Sequence, residues 1–359
     1  MKIVLNPMKP LYIDSNNKNI RMGNFPETGK EIDYEDELFE YFFNLIKEYQ
    51  DTEKVKEIMI KKGIEESEFN QIIEYLMNEK FIIPLADYEE MIKDKYLNRE
   101  ILYFNMINNS KINIDILKEK KVLILGLGGV GSITAELLTR AGVQNFILVD
   151  CDKVEYSNLI RQLSYTSNDI GKNKTEALSL RLQRINPNIN IKSKNIMISK
   201  EEDVYEFINQ SDLVVCTLDK PFRKIRRIIN RTCVKTNTPV IFAGFAEHVG
   251  MIGPFIIPNK GPCLECIDRK SNEVPVENVN IVPSYGPLCN IIASIISDQI
   301  LNYFLKLKSK KLVGKTMMFN MYTYKTKIFT WKRNHDCEVC KKNDSKWSYQ
   351  KFQWKNNNR

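Results

Sequence analysis

The chain is 359 residues long, 43% apolar and 27% charged, with a formal net charge of +8, which is enough for about two domains with packed cores. No apolar run approaches the roughly 18 residues of a membrane span, which excludes a spanning helix, and the absence of a basic-then-apolar start leads to the expectation of a cytoplasmic protein. Residues 1–110 hold 14 Lys/Arg against 22 Asp/Glu and the remainder 39 against 23, so DNA is disfavoured for the first part, a polyphosphate or nucleic acid suits the second, and a boundary falls near residue 110.

Residues 2–22 alternate weakly around the turn signals at 7–10 and 14–19 and predict a β-hairpin. A helix is expected over 35–49, where Leu38, Phe39, Phe42, Phe43 and Ile46 recur at helical spacing. Two more helices are expected over 52–62 and 66–78, then a short strand over 81–84. Together these predict a small winged-helix-like domain over residues 1–90. Its acidity favours a peptide or protein ligand over DNA, and one mode is an extended peptide added to a sheet edge. Residues 91–112 read as a connector containing Arg99.

From residue 113 the pattern becomes strand–helix alternation, which predicts an α/β, Rossmann-like, mostly parallel sheet with helices on both faces. The apolar run 122–125 is short enough for a buried parallel strand. It leads into Gly126, Gly128, Gly129 and Gly131, after which a helical pattern begins. Glycines let backbone amides approach a phosphate, and a helix N-terminus favours an anion. A second apolar run, 146–149, ends at Asp150, about 20 positions past the glycines, where a ribose hydroxyl is usually bound; capping of the strand end is the alternative. Further on, a helix is expected over 169–185, a strand over 213–217, a basic helix over 221–235, a strand over 240–242, extended chain over 249–257, a long helix over 289–307 and β-structure over 315–331. Asp219 follows the strand at 213–217, at a carboxyl end where ligands gather, unless it caps the next helix. The basic tail 341–359 reads as either a flexible end or a strand-like cover.

Of eight cysteines, four form two C-x-x-C hooks, Cys263/Cys266 and Cys337/Cys340. Two such hooks can make a closed, tetrahedral structural zinc site, the alternative being redox-active or reduced thiols. Cys151, Cys216, Cys233 and Cys289 are scattered and expected to be small buried hydrophobes. Cys289 falls at a helix start, where its thiol could ionise more readily, but packing is the favoured role. Neither His248 nor His335 carries a ligand or catalytic pattern.

Taken in order, residues 126–131, Asp150-Cys151-Asp152, Ser157-Asn158-Leu159-Ile160-Arg161-Gln162, Gly171-Lys172-Asn173-Lys174, Thr217-Leu218-Asp219 and the two cysteine hooks resemble the ThiF/MoeB/ubiquitin-activating-enzyme superfamily. Residues 95–340 carry the likeness, and within that superfamily the chain looks most like the MccB-type microcin C synthetases. The resemblance implies an adenylyltransferase that uses ATP and Mg²⁺ on the C-terminal carboxylate of a protein or peptide. It implies that Asp150 binds the ribose hydroxyls, that Asp152 belongs to the nucleotide site, that Asn158, Arg161 and Lys174 contact the phosphates, and that Gln162 either joins them or plays a structural part. It also implies that Asp219 holds magnesium, that the four hook cysteines hold structural Zn²⁺, and that Arg99 reaches into a partner protomer, making a homodimer. Lys172 reads as a solvated neighbour.

A carboxylate is already ionised at neutral pH, so its attack on the α-phosphorus needs no general base. What it needs is alignment and cancellation of two repelling anions. The segment 267–288, which would line the peptide channel, contains no cysteine, so a course without an enzyme thioester is expected. An amine or amide of the peptide would then attack the acyl-adenylate, or a second attack would leave a phosphoramidate. The expected function is therefore adenylylation of a short ribosomal precursor peptide, with no nucleic acid and no membrane as partner. The alternatives are activation of a ubiquitin-like sulfur carrier for thiamin or molybdopterin synthesis, and a nucleotide-dependent DNA-binding regulator.

Overall fold

The computed structural model describes residues 1–23, 29–35, 37–48, 50–108, 111–221, 224–267, 283–308 and 311–341. They fall into two units, one covering Met1–Ile114 and the other running from Asp115 onward, apart from a short stretch beginning at Leu307 that goes with the first.

The first unit contains β1 (Ile3–Leu5), β2 (Leu11–Asp14), β3 (Asn19–Met22), β4 (Lys30–Asp33), α1 (Glu37–Glu48), α2 (Thr52–Lys61), α3 (Glu66–Asn78), β5 (Ile82–Pro84), α4 (Leu85–Ile92) and α5 (Asn98–Asn108). The Asp14 carboxylate accepts the Asn16 and Asn17 N–H groups, each at 3.1 Å, and so turns the chain between β2 and β3. The expected hairpin is shorter than predicted. β1 leaves it to pair antiparallel with β5, because Pro7 and Pro10 interrupt the strand between β1 and β2. β4, which sequence periodicity did not signal, adds an edge to the hairpin; Ile32 is its only large apolar residue. Phe42, Phe43, Ile46, Met59, Phe69 and Ile82 fill the core between the helices and β1–β5. The stretch expected as a connector instead carries α5, whose start is set by Asp94 accepting the Tyr96 and Leu97 N–H groups.

The second unit contains α6 (Ile116–Glu119), β6 (Lys121–Leu125), α7 (Gly129–Arg140), β7 (Asn145–Val149), α8 (Lys174–Ile185), β8 (Asn190–Lys194), α9 (Tyr205–Asn209), β9 (Leu213–Cys216), α10 (Lys224–Thr236), β10 (Val240–Ala246), β11 (Val249–Ile256), α11 (Leu264–Ile267), α12 (Gly286–Phe304), β12 (Lys315–Asn320) and β13 (Thr326–Thr330). Among the described residues the strands form one eight-stranded sheet ordered β13-β12-β11-β10-β9-β6-β7-β8. The five strands from β10 to β8 run parallel and the remaining three extend the sheet antiparallel. β6, β7 and β9 are apolar and buried along their lengths, as strands covered on both sides must be. α7, α8 and α12 pack together, and so do α9, α10 and α11. This is the Rossmann-like α/β arrangement expected, in a chain that also carries a small N-terminal unit of strands and helices.

Several boundaries moved. The helix expected from 169 begins at Lys174 after a 3-10 turn at Ser167–Asp169, because Gly171 takes φ +86° between them. The long helix begins at Gly286 with Pro287 in its first turn, where a missing N–H costs nothing. β8 is polar and lysine-bearing, with no apolar alternation to announce it. The tail 342–359 and the segment 268–282, including Val274-Pro275-Val276 and Ile281-Val282, lie outside the described residues.

Candidate nucleotide and metal sites

β6 lies between β7 and β9, so the chain winds outward from it in both directions, and ligands gather where the winding reverses. At that point Leu125 and Cys216 are register partners, and the turns after β6 and β9 meet. Gly126 takes φ +90°, and a Cβ there would lie 2.8 Å from Thr217 Oγ1. The Thr217 hydroxyl donates to the Gly126 carbonyl at 2.9 Å, fixing the turn from the β9 side. Gly131 sits inside α7, not before it as expected. Its bare Cα lets the helix press on the turn, since a Cβ would fall 1.9 Å from the Gly126 carbonyl oxygen. Gly129 is hemmed in by the Arg161 carbonyl and by Cys289 Sγ. Gly128 is the N-cap residue of α7 and supplies no side-chain cap, so the first-turn amides stand ready for an anion.

Asp150 follows β7 and is 6% exposed. Its Oδ2 accepts the Leu127 N–H at 2.6 Å and its Oδ1 the Asp152 N–H at 2.8 Å. Burial pushes its carboxyl above the ordinary range, against the opposing pull of Lys174 and those two amides. Lys174, first residue of α8, is buried and pairs with Asp152 at 2.8 Å. Asn158 is buried too, and its side-chain oxygen accepts the Glu155 N–H at 3.2 Å across a 3-10 turn. Arg161 donates to the Ser157 carbonyl at 3.0 Å. Gln162 is 3% exposed and lies against Gly128, with its Nε2 3.9 Å from where a Cβ would stand. Its Oε1 and the Ser164 hydroxyl are buried without a hydrogen-bond partner among the described residues, a cost that a polar ligand would relieve. Lys172 pairs with Asp169 at 3.1 Å, away from this cluster.

Asp219 stands exposed three residues past β9. Because α10 begins only at Lys224, Asp219 is not its N-cap. Glycine turn, Asp150, Asp152, Asn158, Arg161, Gln162, Lys174 and Asp219 all follow the carboxyl ends of β6, β7 and β9. Arg99 belongs to the other unit, exposed in the first turn of α5.

The two cysteine hooks meet although Cys263 and Cys337 stand 74 positions apart in the sequence. Sγ–Sγ separations are 3.9 Å for Cys263–Cys266, 3.6 Å for Cys263–Cys337 and 3.4 Å for Cys266–Cys340, and all four sulfurs lie within 4.8 Å of one another. A tetrahedron with metal–sulfur bonds of ~2.3 Å has edges of ~3.8 Å, so the set fits a Cys₄ metal, and the separations are far too long for disulfides. The neighbouring thiols, Cys263 first, hold the Cys340 thiol below its ordinary value, against burial. The hook is braced by Arg231, which pairs with Glu265 at 2.7 Å and 3.0 Å, and by Asn230, which accepts the Leu264 N–H at 3.0 Å.

Cys216, Cys233 and Cys289 are buried as expected, whereas Cys151 is exposed. The Cys289 thiol is pushed up by burial, against a weaker opposing pull from Arg161, so the ionisation suggested by its place at a helix start gives way to packing. Sequence reasoning passed over Tyr165, whose hydroxyl donates to the Leu127 carbonyl at 2.8 Å. Only its place three residues after Gln162 could have pointed to it.

The sequence matches the ThiF family over residues 97–339. It is 31% identical to the molybdopterin-synthase adenylyltransferase of Escherichia coli (strain K12) over 226 residues, covering 63% of this chain and 89% of that protein. It is 29% identical to a sulfur carrier protein adenylyltransferase of Thermus thermophilus, covering 62% of this chain and 83% of that one. Among solved structures, E. coli MccB with MccA-N7isoASN superposes with a TM-score of 0.77 at 24% identity, covering 95% of this chain and 100% of that chain.

Proposed function

The chain belongs to the ThiF family and is an adenylyltransferase, and from that premise we propose that its acceptor is the C-terminal carboxylate of a short ribosomally made peptide. The observation that carries this reading is the N-terminal unit. The relatives named as molybdopterin-synthase and sulfur-carrier adenylyltransferases match about 63% of the chain, whereas the fold likeness to MccB runs over 95% of it. An acidic module of strands and helices in the same chain as an adenylylating domain suits the grip of a peptide, through an added strand on β2 or β4. Activation of a sulfur carrier is the second reading, and the higher sequence identity of the catalytic unit to those enzymes favours it.

In the proposed reaction a carboxylate oxygen of the peptide forms a bond to the α-phosphorus of ATP, and the bond to the β-phosphate bridging oxygen breaks, releasing pyrophosphate. No proton moves, so the protein's work is electrostatic and positional. The triphosphate lies against residues 126–131 at the α7 N-terminus. The ribose hydroxyls donate to Asp150, which keeps lone pairs spare beyond its two amide contacts. Lys174 leaves Asp152 for a phosphate oxygen, Arg161 takes the growing charge, and Asn158 and Gln162 complete the cradle. Asp219, exposed beside that cradle, fits the carboxylate that a hard divalent ion requires, and Mg²⁺ bound there would neutralise phosphate charge. Zn²⁺ held by the four cysteines would be closed to substrate and would tie Cys263 and Cys266 to Cys337 and Cys340. No cysteine occurs between Ile267 and Leu288, so the acyl-adenylate passes to a nucleophile of the peptide itself without an enzyme thioester. Arg99 reaches the site of a second copy in a homodimer.

ATP–pyrophosphate exchange driven by candidate acceptors tests this. Short peptides ending in Asn or an acidic residue should drive exchange, and Asp219→Ala should abolish it. Exchange driven only by a ubiquitin-like sulfur carrier would shift the function to the second reading. Mixing Arg99→Ala with Asp219→Ala protein should restore part of the activity, and no restoration would place Arg99 within its own protomer or outside the reaction.

A further inference from the structure

The two peptide planes that meet at Leu127 are each held by a side chain. The Leu127 N–H donates to Asp150 Oδ2 at 2.6 Å and its C=O accepts the Tyr165 hydroxyl at 2.8 Å. Both contacts are buried, and Tyr165 is 4% exposed. Leu127 lies between Gly126 and Gly128, and its carbonyl shares a peptide plane with the Gly128 N–H, so the orientation of that plane decides where the following amides point. Two glycine neighbours resist rotation poorly, so side chains must supply the stiffness. Thr217 holds the Gly126 carbonyl and Asp150 the Leu127 N–H, but both groups lie in the Gly126–Leu127 plane, so neither fixes the plane that follows. Only the tyrosine hydroxyl holds the Leu127 carbonyl among the described residues. Burial, and the carboxylates of Asp150, Asp169, Glu136 and Asp152 around it, push the phenol well above its usual range, so it stays a neutral donor.

We propose that Tyr165 is a positioning residue for the nucleotide reaction: its hydroxyl locks the Leu127–Gly128 peptide plane so that the amides at the start of α7 face the triphosphate before nucleotide arrives. It touches no phosphate and acts through the turn. Preorganisation of this kind is read as affinity, because the bound conformation need not be assembled at the moment of binding. The inference rests on the reading that the triphosphate lies against residues 126–131.

The test is amide hydrogen exchange on the full chain, combined with calorimetric binding of ATP and of adenosine. In the wild type without nucleotide the Leu127 amide is expected to be strongly protected; rapid exchange there would overturn the claim that the turn is preformed, whatever any variant does. In Tyr165→Phe the Leu127 amide should exchange ~10-fold faster while amides of β9 do not change, and ATP should bind ~10-fold more weakly with adenosine affected less. Faster exchange throughout β6, β7 and β9, or unchanged ATP affinity, would reduce Tyr165 to a core residue and overturn the proposal. If ATP binds the wild type without altering exchange at residues 127–131, it is the location of the triphosphate that fails.

Discussion

Lys174 Nζ lies 2.8 Å from the Asp152 carboxylate, and the two ends of the pair differ sharply: the lysine side chain is 6% exposed and the aspartate 61%. A buried ammonium costs free energy unless it is paired, and here its counter-charge stands mostly in water. Such a pair is stable without ligand yet can be exchanged for a phosphate oxygen. Lys174→Ala should lower pyrophosphate exchange ~100-fold, the scale of removing one positioned charge from a polar transition state. Asp152→Ala should cost ~1–2 kcal/mol in urea unfolding, because it leaves Lys174 buried with only Asp150 near it while water reaches the gap. Wild-type stability in Asp152→Ala would show that the pair contributes nothing to the resting site.

Asp150 makes the site sensitive to acid. Burial raises its carboxyl above the ordinary aspartate value, with Lys174 and two backbone amides opposing. The folded carboxyl thus keeps its proton to higher pH than the unfolded one, and this residue's contribution to stability falls as pH rises from the unfolded value to the raised folded value, then levels. Nucleotide binding runs the other way, since the ionised form accepts ribose hydroxyls more strongly than the protonated one. Calorimetric affinity for ATP should therefore drop on acidification at a pH above the usual aspartate range, about 4. Asp150→Asn should bind weakly, with that acidic step removed. An acidic limb identical in wild type and Asp150→Asn would assign the step to another group.

The cysteine cluster predicts one zinc per chain by elemental analysis. Cys340→Ser should lose the metal and lower Tm by about 10 °C or more, as structural zinc contributes directly to folding. Chelation of the wild type should reproduce the loss. A metal-free protein with the wild-type Tm would discard the site.

Much of the catalytic unit was legible in the sequence because its signals are local. A buried strand, a turn that only glycine can make and an acidic residue at the next strand end follow one another within 30 residues, and each is dictated by backbone chemistry. The reading slipped where a residue's role depends on distant partners. Gly131 was expected before the helix, yet it lies inside α7 because its missing Cβ admits the Gly126 carbonyl. Tyr165 carries no motif, and its partner Leu127 is 38 residues away. β4 and β8 are edge strands with charged residues and little apolar alternation, so the period-two signal is missing. β1 was assigned to the nearest hairpin although it pairs with β5, about 80 residues along the chain. Each cysteine hook was legible as C-x-x-C, but that the two meet rested on the resemblance, since Cys263 and Cys337 stand 74 positions apart.

The account turns on where the triphosphate sits, and a crystal of the protein soaked with a non-hydrolysable ATP analogue and Mg²⁺ measures that directly. The phosphates should lie against the amides of residues 126–131 at the α7 N-terminus, with ribose on Asp150, Lys174 turned from Asp152 to a phosphate, and the metal on Asp219. Triphosphate bound anywhere else, or a metal held without Asp219, would contradict it.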